Sequence, residues 1–249
     1  IHHLTNYVTA NDSANMALAI GASPVMAGDI GEVEEMVSRA AALVLNIGTL
    51  SAPAVEAMIA AGRKAGELNI PIVFDPVGVG ATSLRTTAAA RIIRETPVAV
   101  VRGNASEIKA LAGQKTGIRG VDSIADETDN EAVARALAAQ IGCVVAVTGK
   151  TDVVAAAAGD VCRVQNGHPW LTAVTGTGCL ATTLIGCCCG GGASPYVGAA
   201  AGLVIVGVAG ELARLALRPG EGIGSFRVRL FDAVFAMTPD TLLRYGKIN

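Results

Sequence analysis

The chain has 249 residues, 51% hydrophobic and only 3% aromatic, with 30 glycines and a net charge of −2. That balance gives no electrostatic reason for a polyanionic partner and argues against nucleic acid or an acidic membrane surface. An interior of Ala, Val, Leu and Ile with abundant Gly predicts a layered α/β architecture, and without a low-complexity linker or internal repeat, residues 1–249 read as one domain.

In chain order, β-branched or apolar runs bounded by turn residues predict strands at Leu43–Ile47, Ile70–Phe74, Val98–Val101, Cys143–Val147 and Asp152–Ala157. Segments of helical period lie at Glu32–Ala42, Ala52–Leu68, Ser83–Glu95, Glu107–Ala112 and Asn130–Gln140. This alternation predicts a mostly parallel sheet with helices on both faces, right-handed crossovers, and ligands beyond the strands' carboxyl ends. Gly159-Asp160, between strand-like runs Asp152–Ala158 and Val161–Gln165, predicts a hairpin and hence antiparallel strands toward one edge. Cys179–Cys189, Ser194–Leu217 and about Gly220–Met237 predict a helical C-terminal third.

A mean hydropathy of +0.50 raises the question of a membrane span. The apolar stretch Leu171–Leu217 is broken by Gly190-Gly191-Gly192, Ser194-Pro195 and Glu211 and is rich in Ala and Gly, so it reads as buried helices. No signal-peptide pattern opens the chain, and none of the cysteines, Cys143, Cys162, Cys179 and Cys187-Cys188-Cys189, forms a C-x-x-C pair. Reduced thiols in the cytoplasm are the expectation. The acidic stretch Asp126–Asn130 reads as a solvated helix start rather than a metal site.

Polar and glycine-rich loops follow the predicted strands. Asn46-Ile47-Gly48-Thr49 is weak by itself. Asp75, at the next strand end before Pro76-Val77-Gly78-Val79-Gly80, serves either as a turn cap or to hold the hydration shell of Mg²⁺. In Arg102-Gly103-Asn104-Ala105-Ser106-Glu107, Asn104 and Glu107 have capping-box spacing, whereas a guanidinium at a strand end suits phosphate and Glu107 could share a metal's water shell with Asp75. Thr148-Gly149-Lys150 reads as a hairpin turn or a nucleotide-phosphate contact. Thr175-Gly176-Thr177-Gly178-Cys179 reads either as a tight strand-to-helix turn that uses Gly for its backbone freedom or as small residues that expose N–H groups to an anion, with a thiol on the rim whose acidity the helix N-terminus is expected to raise. Together these are parts for Mg²⁺-assisted phosphoryl transfer. Neither G-x-x-x-x-G-K-[ST] nor a G-x-G-x-x-G after the first predicted strand is present.

The ordered set Asp75-Pro-Val-Gly-Val-Gly80, Arg102-Gly-Asn-Ala-Ser-Glu107, Val147-Thr-Gly149 and Thr175-Gly-Thr-Gly-Cys179 resembles the ribokinase-like superfamily, and within it the hydroxyethylthiazole kinase family. Leu4–Asn15 and Gly21–Met26 are similar to that family's substrate-side signature, and Ile1–Leu4 is where the chain departs from it. The resemblance implies a three-layer ribokinase-like fold and ATP-dependent phosphorylation of 4-methyl-5-(2-hydroxyethyl)thiazole. It implies thiazole contacts at Met26, Gly176 and Asn6, ATP contacts at Arg102, Thr148 and Gly149, and largely water-mediated Mg²⁺ at Asp75 and Glu107. Cys179 stands where most ribokinase-like enzymes carry an Asp base, and the family implies a homotrimer with sites between subunits. Three other readings stay open: a kinase of the same fold for hydroxymethylpyrimidine or pyridoxal, a nucleotide-dependent dehydratase, and a nucleotide-binding module without catalysis.

Overall fold

The computed structural model describes residues 1–113 and 130–249, so Asp126–Asp129 of the acidic stretch lie outside the described residues. Seven strands form one sheet in sequence order: β1 (His2–Leu4), β2 (Leu43–Asn46), β3 (Ile72–Asp75), β4 (Val100–Asn104), β5 (Val144–Thr148), β6 (Asp152–Ala155) and β7 (Val161–Val164). The first five are parallel, and β6 and β7 are antiparallel, as the Gly159-Asp160 turn predicts.

Strands added always in one direction, with crossovers of one hand, place the connecting helices on the same face, with the helix Ala10–Ala19 of the β1–β2 connection as the exception. That face carries α2 (Val33–Val37), α3 (Ala52–Glu67), α4 (Ser83–Glu95), α5 (Ala105–Leu111) and α6 (Asn130–Ile141), packed on Leu43, Leu45, Ile72, Phe74, Val101 and Val145. Alternate strand residues Val73, Val100, Val144 and Ala146 point the other way. They are covered by α1 (Ala10–Ala19), α7 (Thr177–Gly190), α8 (Pro195–Leu215) and α9 (Ile223–Phe235). Both faces are therefore covered, the second by the C-terminal helices and by α1 from the β1–β2 connection. With no reversal of strand order there is no switch-point crevice, and the N-terminus of α7 supplies the wall that such a crevice would.

By length and composition α8 could cross a membrane, but 72% of its apolar window is buried inside the molecule, against α7, α9 and the sheet. The expected helix Glu32–Ala42 shortens to α2. Ser38 turns its hydroxyl back onto the Glu34 carbonyl, and Arg39 and Ala40 close the end with i to i−3 bonds. Three elements that the periodicity does not show are present: β1, α1 and α10 (Pro239–Tyr245), which Thr238 caps.

Candidate active site

Parallel register aligns the strand ends: Asn46 lies beside Asp75, and Asn104 beside Thr148. Over this row of carboxyl ends α7 begins, and two of its glycines have separate reasons to be there. Gly176 caps the helix at φ +84°, and a Cβ there would come within 2.3 Å of the Thr9 methyl. Gly178 lies over Arg102, where a Cβ would come within 2.5 Å of Nη1. The Thr177 hydroxyl donates to the Leu171 carbonyl at 2.8 Å, so the turn is pinned from below. The next amide, of Leu180, donates to the Gly176 carbonyl, and the N–H groups of Thr177, Gly178 and Cys179 precede the helical ladder at its positive end.

Beneath α7 lies a buried charge cluster. Asp75 is fully buried; its Oδ2 accepts from the Thr182 hydroxyl at 2.8 Å and faces Arg102 Nη1 at 3.6 Å, while its Oδ1 has no partner. Burial raises its carboxyl above the ordinary range, against the opposing pull of Arg102 and Thr182. Arg102 Nη2 donates to the Thr148 hydroxyl at 2.6 Å, which fixes the guanidinium across the ends of β4 and β5. Glu107 is buried at the start of α5, where Oε1 accepts the Gly78 N–H and Oε2 the Asn104 N–H, each at 2.8 Å. Asn104 completes the capping box that its spacing suggested.

Burial, and then the charge of Asp75, push the Glu107 carboxyl up to about 7. A carboxyl whose folded value exceeds its unfolded one stabilises the fold while protonated, and that contribution is lost as pH rises from its ordinary 4.5 through about 7. Urea melts at about pH 5 and about pH 8 should therefore show a fall in stability that is smaller in Glu107→Gln. An equal fall in both proteins would remove Glu107 as its source.

The thiol is held by two amides. Asn46 Nδ2 lies 3.2 Å and Asn6 Nδ2 3.5 Å from Cys179 Sγ. The orientation of Asn46 follows from its oxygen, which accepts Asn6 Nδ2 and the Gly48 N–H, both at 2.9 Å, and so turns its nitrogen to sulfur. The oxygen of Asn6 in turn accepts the amide and hydroxyl of Thr9. Contrary to the expectation from the helix N-terminus, the Cys179 thiol is pushed up. Burial is the main cause and the charge of Asp75 adds to it, outweighing Thr9, Arg102 and Asn46. The thiolate is thus the minor form of Cys179.

Asn6, Asp75, Arg102, Glu107, Thr148, Gly176, Gly178 and Cys179 are brought together. Thr175 is exposed on the rim and Thr177 anchors the turn from inside. The Gly149 amide is committed to the hairpin, donating to Asp152 Oδ1 at 2.9 Å. Met26 stands apart from the hydrogen-bonded cluster and is 38% exposed. It lies between Val25, which is bridged to His2, and Ala27, whose carbonyl meets the His2 ring at 2.7 Å. Sequence reasoning underweights Asn46 and misses Thr182 and Thr9. Adjacent threonines, Thr182-Thr183, in an otherwise apolar helix are the signal for the second of these.

Among the described residues no group of three or more His, Cys, Asp or Glu side chains is placed to hold a metal. The donors present, one unpaired buried carboxylate oxygen on Asp75 and a second carboxylate nearby, suit a hard cation that keeps most of its water.

Comparison with known proteins shows the family of the chain. Residues 1–240 match the Hydroxyethylthiazole kinase family. The hydroxyethylthiazole kinase of Alkaliphilus oremlandii is 48% identical over 250 residues, covering 100% of this chain and 92% of the relative. The solved hydroxyethylthiazole kinase of Pyrococcus horikoshii OT3 superposes with a TM-score of 0.88 at 38% identity, covering 100% of this chain and 92% of that one. The ADP complex of Bacillus subtilis pyridoxal kinase, at 14% identity and a TM-score of 0.59 over 84% of this chain and 90% of that one, shares the ribokinase-like fold. With a family match over nearly its whole length and relatives near half identity, the chain belongs to the hydroxyethylthiazole kinase family.

Proposed function

We propose that residues 1–249 act as one kinase domain that transfers the γ-phosphoryl group of ATP to the alcohol of 4-methyl-5-(2-hydroxyethyl)thiazole, forming its phosphate for thiamine salvage. The carrying observation is the helix α7 N-terminus set over a buried Asp75–Arg102 pair at the strands' carboxyl ends. In this reading the Thr175–Cys179 amides take up charge on the moving phosphoryl group, and Arg102, with Thr148, neutralises the rest of the triphosphate. Asp75 and Glu107 would hold Mg²⁺, largely through water, and Mg²⁺ when bound supplies charge neutralisation along the phosphates. Asn6 and Gly176 face the thiazole, and the exposed Met26, apart from them within one chain, reaches it across the subunit boundary.

In the small fraction of chains in which Cys179 is a thiolate, its sulfur receives the alcohol proton late. A loose transition state requires little proton removal early, so the small thiolate population that burial leaves is enough. Cys179→Ala should therefore lower turnover about tenfold and leave measurable kinase activity. Cys179→Asp, whose carboxylate would accept from both Asn6 and Asn46, should be at least as active as the parent. Full turnover by the Ala variant would remove Cys179 from proton transfer.

We further propose a homotrimer with the sites at its boundaries. Exposed apolar Tyr7, Val8 and Leu18 adjoin the substrate side, and Val228 and Phe235 extend that surface along α9. Light scattering should return three chain masses, and a monomer would contradict it. The six free cysteines fit a reducing compartment such as the cytoplasm. Turnover compared on the thiazole alcohol, hydroxymethylpyrimidine and pyridoxal tests the substrate; preference for either of the latter would overturn the thiazole reading.

A further inference from the structure

We propose that Arg85 is a positioning residue that braces the substrate wall of the site against its carboxylate wall. Arg85 lies in the first turn of α4, on the crossover face, and reaches two loops at once. Its Nη1 donates to the Ile47 carbonyl at 2.8 Å and to the Val77 carbonyl at 2.7 Å, and its Nη2 donates to the Gly48 carbonyl at 2.9 Å. Ile47 and Gly48 follow Asn46, the residue that donates to Cys179, and the Gly48 amide fixes the orientation of Asn46. Val77 precedes Gly78, whose amide donates to Glu107. Gly78 has φ +72°, and a Cβ there would come 3.2 Å from Cδ of Arg85, so the arginine stem lies flat against this turn.

One planar fork thus ties the loop that aims the thiol to the loop that aims Glu107. Its acceptors are three main-chain carbonyls from two strand ends, a pattern that a planar guanidinium matches and a point-like ammonium does not. Releasing the fork lets both loops move, so substrate placement and carboxylate placement loosen together. The brace is independent of the proposed activity, whereas its catalytic consequence rests on the kinase reading.

The test has two arms. Hydrogen exchange of the ligand-free chain should show amides in residues 46–49 and 77–80 exchanging about tenfold faster in Arg85→Met, with β5 and α8 unchanged. Arg85→Lys, which keeps the charge and the helix, should give a smaller change in the same two loops. No change, a change in one loop only, or a uniform change along the chain would overturn the brace. In kinase assays Arg85→Ala should lose about a hundredfold in kcat and need about tenfold more Mg²⁺ for half-activation, with added ethylguanidinium restoring part of the loss. Faster exchange with unchanged kcat and Mg²⁺ demand, or a loss that ethylguanidinium leaves untouched, would overturn the positioning role. A wild-type chain that forms no phosphate ester would overturn the kinase reading instead, while the exchange arm would still decide the brace.

Discussion

Arg102→Met is expected to lower kcat/KM for ATP by at least about a hundredfold and to make stability fall more steeply with pH. The guanidinium stands 3.6 Å from Asp75, donates to Thr148 at 2.6 Å, and lies under the Gly178 backbone at the head of α7. Methionine fills much of the volume without charge or donors, so the triphosphate loses a fixed cation and Asp75 loses its counter-ion. Breaking a buried pair from one side costs on the order of 3 kcal/mol while the stranded carboxylate stays ionised. Asp75 is already raised by burial, and removing Arg102 raises it further. A raised acid contributes stability that is lost as pH rises through its folded value, so the deficit should be small in acid and grow toward neutral pH. Steady-state kinetics against ATP, with urea melts at two pH values, check both halves. Unchanged ATP dependence would remove Arg102 from the site.

Asp75→Asn should separate activity from stability. The amide keeps the shape and an oxygen for the Thr182 hydroxyl, now 2.8 Å from Oδ2. It removes a charge that is fully buried and has one oxygen unpaired. Removing it breaks the pair with Arg102 from one side, which costs on the order of 3 kcal/mol, and the relief of Glu107, which the Asp75 charge pushes up, offsets part of that cost, so the fold should persist. Turnover should nevertheless fall about a thousandfold, because charge placed for the transition state is lost. The expected result is a moderate fall in the unfolding midpoint at neutral pH beside a far larger loss of turnover. Marked destabilisation with activity retained would assign Asp75 to structure alone.

The sequence shows β2 to β6 to within a few residues because continuous apolar runs bounded by turns have one compact solution in a covered sheet. Pro71 starts β3 two residues late, while pairing with β5 carries β4 on to Asn104. β1 has three residues, too few for a period, and α1 buries only Ser13, Met16 and Ala17 in a segment otherwise dotted with Asn and Asp. Strand-end placement made Asp75, Arg102, Glu107 and Thr148 legible, since topology alone sends those ends to one side. What stayed hidden depends on contacts distant in sequence. Asn46 and Cys179 are separated by 133 positions. The acidity of Cys179 was misjudged because the helix terminus is local and visible, whereas the burial and the Asp75 charge that outweigh it come from tertiary packing. Of the two readings of the Thr175–Cys179 turn, the backbone one is visible directly: Gly176 is required by its left-handed backbone and Gly178 by the arginine beneath it.

The central claim is most directly tested by incubating the chain with ATP, Mg²⁺ and 4-methyl-5-(2-hydroxyethyl)thiazole and following the thiazole by mass spectrometry. The account predicts its phosphate ester, formed in step with ADP and lost in Asp75→Asn. ADP without ester, or no turnover of the thiazole by the intact chain, would contradict it.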